Sequence, residues 1–146
     1  MIFLKAVIAV VLPIVSATPG VTNPAVTQAN IQQTICTSGY TATIRPPASY
    51  TTKLKISQLA GAYKTFTDKA PASYEEDHLI SLEIGGNPTD PKNLWPQPYA
   101  GTGARIKDQV ENKLHNLVCA NKMTLADAQK AIIANWYAAY QKYVGK

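Results

Sequence analysis

Long apolar stretches are missing from this 146-residue chain. Its one sustained apolar run, Ala6 to Val15, is interrupted at Pro13 and falls short of the roughly 20 residues a membrane-spanning helix needs. Cysteine is scarce, and two of them are too few for a thiolate-rich metal scaffold. Internal repeats and low-complexity tracts are absent, which excludes solenoids and simple disordered repeats. Acidic residues are few as well: 9 Asp and Glu stand against 14 Lys and Arg, a net charge of +5. That balance disfavours a polycation-binding surface and suits attraction of a polyanion.

What is present begins with the N-terminus. Met1 to Lys5 is a short basic start, Ala6 to Val15 an apolar segment, and Val15-Ser16-Ala17 a small-residue cleavage site. Residues 1–17 therefore read as a secretory signal peptide. The expected product is a secreted or periplasmic protein starting near Thr18, with no stable membrane insertion once the signal is removed. In an oxidising compartment Cys36 and Cys119 are expected to form a disulfide, two separately buried thiols being the other arrangement. The bridge would close a loop of 83 positions and contribute on the order of 4 kcal/mol by loop-closure entropy.

The pattern along the rest predicts one domain. Residues 18–33 lack a sustained period and read as a linker or flexible arm; residues 34–146 carry the domain. From Ile35 to Tyr50, β-branched and aromatic residues closed by Arg45-Pro46-Pro47 predict an extended segment. Thr52 to Lys64 predicts a short helix. Glu76 to Ile84 alternates in part, Gly85-Gly86 supplies a turn, and Asn93-Leu94-Trp95 offers a returning strand, so the centre reads as a hairpin with a long loop. Ile106, Val110, Leu114 and Leu117 then predict a helix ending near Cys119. A last helix is expected from Thr124, which can cap it, through Tyr140 to Gly145.

Five of the 9 carboxylates, Glu75, Glu76, Asp77, Glu83 and Asp90, fall in one sixteen-residue window. The window suits a cation site, and equally a solvated loop. At its centre stands Asp77-His78. A neutral imidazole can take a proton from water, and a neighbouring carboxylate can hold a divalent cation that stabilises phosphate charge. Alone, such a pair is more often structural.

The order DHLISLEIGG, then NLW from Asn93, then an amphipathic helix resembles the HNH, or His-Me finger, endonuclease family over Tyr74 to His115. The resemblance implies an α+β fold with a ββα-metal hairpin-helix core, flanked here by the extended segment and helix on the N-terminal side and by the C-terminal helix. It implies an exported endonuclease that hydrolyses phosphodiester bonds of DNA or RNA, with His78 as general base and Asn93 orienting the histidine from the loop. It further implies a divalent ion, Mg²⁺ or Mn²⁺ first and Zn²⁺ after them, held by Asp77. The family's histidine or asparagine on the helix is replaced by Lys107-Asp108. Asp108 is the first candidate for the remaining ligand, Glu111 the second and His115 the third, at spacings of three and four on one helix face. A solvated face with Lys107 and Glu111 as an exposed pair is the competing reading. Arg45, Arg105 and Lys107, with Lys53 and Lys55 beside them, are candidates for binding the substrate's phosphates. A monomer with nucleic acid as its substrate is expected. The contrasting functional reading is a non-catalytic module of the cell envelope that keeps the scaffold and its basic surface.

Overall fold

The computed structural model describes residues 17–145. The leader expected over residues 1–17 lies outside them except for its last residue. The described chain is mixed α+β, with helix α1 (Tyr40–Ile44), α2 (Ala48–Ala60), strand β1 (Tyr74–His78), β2 (Leu94–Pro98), α3 (Ala104–Cys119) and α4 (Leu125–Tyr143). No described helix is long and apolar enough to cross a membrane.

The two strands pair antiparallel, Asp77 opposite Trp95 and His78 opposite Leu94. Successive residues of β1 face opposite sides. α2 packs against both strands. The predicted hairpin is present, but β1 ends at His78 rather than running to Ile84. The chain bends there because the segment after it is tied to a single buried side chain. Asn93 Nδ2 donates to the carbonyls of Ile80 (3.0 Å) and Asn87 (2.9 Å), while its Oδ1 accepts from the amides of Ile80 (3.0 Å) and Val21 (3.3 Å). All four bonds are made by one amide with no exposed surface. Gly86 lets the loop close: a Cβ there would lie 1.7 Å from the Ile80 carbonyl oxygen, an approach only glycine permits.

Two further sequence expectations are corrected. The segment from Ile35 to Tyr50 is not extended; it forms α1 and the start of α2, separated by Arg45-Pro46-Pro47. Its β-branched residues carry a weak preference that tertiary packing overrides. Residues 18–33 are not a loose arm. The Gly20 amide donates to the Lys92 carbonyl and the Asn87 amide to the Val21 carbonyl, Thr22 bridges Gly86, and Val26 and Ile31 are buried. The arm supplies partners to the loop between the strands, and that pairing leaves no helical or strand period in the sequence.

α3 and α4 pack together and onto the inter-strand loop, with Ile80, Ile84, Trp95, Val110, Leu114, Val118, Ile132 and Trp136 in one core. Burying each such side chain stabilises the fold by roughly 1.5–3 kcal/mol. Thr124 caps α4 by accepting from the Asp127 amide, as expected. α4 is interrupted at Asn135, whose side chain accepts from the amides of Tyr137 and Ala138 and so caps the second half. Cys36 and Cys119 form the disulfide, joining the segment before α1 to the end of α3.

Candidate functional site

A polar cleft of about 280 Å³ opens where the end of β1 meets α3 and α1. Its walls include Thr41, Arg45, Glu75, Asp77, His78, Ser81, Glu83, Asp108, Glu111 and Asn112. Asp77 and His78, although adjacent on a strand, thus border one space, because His78 is the last residue before the bend.

His78 is 6 % exposed, and its Nε2 lies 2.9 Å from the Pro88 carbonyl oxygen. A carbonyl only accepts, so Nε2 carries the proton and Nδ1 is the basic nitrogen of the neutral ring. Burial lowers the pKa of His78 below the ordinary histidine value, and Arg45 and Lys107 push the same way; the Pro88 bond and Asp77 oppose them. The ring is therefore held neutral at pH 7. Asn93 holds the backbone around the histidine. Its side chain fixes Ile80 and Asn87, the latter next to Pro88, and its own carbonyl accepts from the Leu79 amide at 2.7 Å.

The helix wall departs most from expectation. Lys107 has no exposed surface. Its Nζ donates to Asp77 Oδ2 at 2.8 Å, to the His78 carbonyl at 2.7 Å and to Glu111 Oε1. An ammonium has three N–H groups, and all three are used. Lys107 is thus neither a surface phosphate contact nor half of an exposed pair with Glu111, and both expectations are corrected. Lysine is almost never fully buried unless paired, which is why composition alone assigns it to the surface. Burial alone would push its pKa down, but Asp77 and Glu111 outweigh this and hold it above the ordinary lysine value, so the group is charged. Carried back one turn, the stripe of Val110, Leu114 and Val118 allows position 106 or 107 to face inward and does not choose between them.

The carboxylates named as candidate metal ligands share this wall but not one point. Asp77 and Glu111 converge on the Lys107 ammonium, while Asp108 borders the cleft outside that pair. Among the described residues no group of three or more His, Cys, Asp or Glu side chains is arranged to hold a metal ion. The donor set between Asp77 and Glu111 does not fit a divalent ion, since a fixed positive charge already stands there. His115 is turned elsewhere: its Nε2 bonds the Ile35 carbonyl at 2.9 Å, and Nδ1 lies 3.9 Å from Glu83 Oε2.

Of the basic candidates, Arg45 borders the cleft and is exposed. Arg105 is exposed with its guanidinium 5.8 Å from the centre of the Tyr99 ring, and its charge reaches Glu75 and Asp108 without lining the cleft. Lys55 is spent on the other side of the hairpin, donating to the Tyr74 carbonyl at 2.8 Å, and Lys53 is exposed. Burial raises the pKa of Glu75, Glu83 and Asp108, so these three carboxyls hold protons more tightly than free ones. Sequence reasoning passed over Thr41, Ser81 and Asn112 as wall residues and the Pro88 carbonyl as the histidine's partner; none carries a motif that would have marked it. Comparison with protein-family models, with curated proteins and with solved structures finds no match for this chain.

Proposed function

We propose that the cleft binds a phosphodiester of nucleic acid and cleaves it, with His78 as general base, in a protein exported from the cell. The observation that carries this reading is the Nε2–H to Pro88 bond, which commits the buried ring to the tautomer whose Nδ1 can accept a proton. Arg45 supplies a positive charge on the same wall for the phosphate, and the chain's net charge of +5 favours approach of a polyanion. The β1–β2–α3 order supports the ββα reading drawn from the HNH resemblance, and the Cys36–Cys119 bridge suits an oxidising compartment. Asn93 acts as a positioning residue, holding the loop on which Pro88 sits.

The test is His78→Gln, which keeps a donor for Pro88 and removes the base. Cleavage of plasmid DNA and of RNA should fall at least about 10²-fold while the circular dichroism spectrum and melting temperature stay close to wild type. Undiminished cleavage by the folded variant sinks the assignment. A second reading, a non-catalytic polyanion-binding module, is favoured by the filling of the Asp77–Glu111 gap by Lys107. Equal RNA binding by wild type and variant, with no cleavage by either, would select it.

A further inference from the structure

We propose that Lys107 is a built-in cation, standing where the site would otherwise hold a divalent ion, and that the cleft therefore cleaves, without added metal, a strand that brings its own nucleophile: RNA. The inference rests on the cleavage reading above and goes beyond it by naming the substrate class and the source of the site's positive charge.

First, the Lys107 ammonium is bonded to three oxygens from two elements: Asp77 Oδ2, the His78 carbonyl and Glu111 Oε1. Oxygens of carboxylates and a carbonyl are what a hard divalent ion takes. A second cation in the same gap would meet a fixed positive charge inside a region with no exposed lysine surface. Lys107 is a positioning residue. Its bond to the His78 carbonyl and its pairing with Asp77 fix the end of β1, and with all three N–H groups spent it has none to offer a substrate.

Second, the cleft with its own residues has a base in His78 and an anion partner in Arg45. Water is a poor nucleophile when no metal lowers its pKa. An RNA strand carries a 2′-hydroxyl beside the phosphorus, and that group also distinguishes it from DNA. His78 Nδ1 takes the 2′-hydroxyl proton as the 2′-oxygen forms its bond to phosphorus. The bond from phosphorus to the 5′-oxygen breaks, and the proton returns through solvent to that departing oxygen. The products are a 2′,3′-cyclic phosphate and a 5′-hydroxyl end, with atoms and charge balanced and no co-reactant consumed.

The experiment uses the exported protein, an RNA oligonucleotide and its DNA counterpart, each in excess EDTA and in Mn²⁺, together with a Mn²⁺ titration followed by electron paramagnetic resonance. RNA should be cut in EDTA to fragments ending in cyclic phosphate, with DNA uncut and no Mn²⁺ site in the wild type. Lys107→Met should gain a Mn²⁺ site, and Mn²⁺ should raise its melting temperature but not that of wild type. Cleavage that requires Mn²⁺, DNA cut as readily as RNA, or a wild-type Mn²⁺ site lost in Asp77→Asn overturns the proposal. If Lys107→Met does not fold, the wild-type titration and the folded Lys107→Arg variant decide it, since retained charge should keep Mn²⁺ out. Failure to cut either nucleic acid in any condition overturns the cleavage reading and the RNA half with it, whereas the titration still decides the role of Lys107.

Discussion

Glu76 and Asp77 are neighbours on one strand, yet the two faces of that strand treat them in opposite ways. On one face Asp77 meets the Lys107 ammonium at 2.8 Å, a fixed partner that it shares with Glu111. On the other, both Glu76 carboxyl oxygens are buried without a hydrogen-bond partner. Burial pushes the Glu76 pKa to about 8, with Lys55 offsetting it only in part. A cationic partner favours the charged form of a buried carboxyl and burial favours the protonated form; at Glu111 burial outweighs even the Lys107 ammonium and holds the pKa well above the ordinary carboxylate value. The two faces carry a paired and an unpartnered carboxyl one residue apart, and the paired one borders the cleft.

The contrast can be broken most strongly at its paired side. Lys107→Met leaves Asp77 and Glu111 facing each other with no cation, and should cost roughly 3–5 kcal/mol in urea denaturation. A loss below about 1 kcal/mol would mean that the ion cluster is incidental to the fold.

The unpaired side should respond in the opposite direction. Glu76→Gln is expected to stabilise the protein at pH 8 by about 1–2 kcal/mol, a figure held below the full shift because the replacing amide is buried without a partner as well. The sign follows from the raised pKa. Between about pH 4.5 and about 8 the folded state keeps a proton that the unfolded state has lost, so wild-type stability falls as pH rises through that window. The variant should lack this slope and should match wild type below pH 4.5. A variant less stable than wild type at pH 8 would show that the carboxyl has a partner after all.

The smallest effect concerns His78, which follows Asp77 at the strand end. Its lowered pKa keeps the base neutral further into acid, so the acid limb of a cleavage profile should lie below the ordinary histidine midpoint near 6.5. Arg45→Gln removes one charge that holds the proton off and should move the limb back upward. A limb above 6.5 in the wild type would contradict the burial of the ring.

Much of this architecture is legible in residue order. Gly85-Gly86 and Asn93-Leu94-Trp95 announce a turn and a return, and the period from Ile106 to Leu117 announces α3. The disulfide is also readable from an even cysteine count in a chain that starts like an exported one. Less legible is the arm before Ile35, whose partners lie some seventy residues away at Lys92 and Asn93 and leave no local period. The site divides in the same way. Asp77, His78 and Asn93 stand out as residue types with chemistry to offer, whereas the Pro88 carbonyl, which sets the histidine's tautomer, belongs to a residue that sequence reads only as a loop former.

By itself, then, the sequence determined the hairpin, the two long helices and the identity of the residues at the strand end, because periodicity and glycine placement are local properties of a chain. The tertiary structure alone decided that Lys107 lies inside rather than outside. Helical geometry allows that position to face either solvent or core, and the choice falls to the core only because Asp77, the His78 carbonyl and Glu111 meet there to replace the water that an ammonium would otherwise keep.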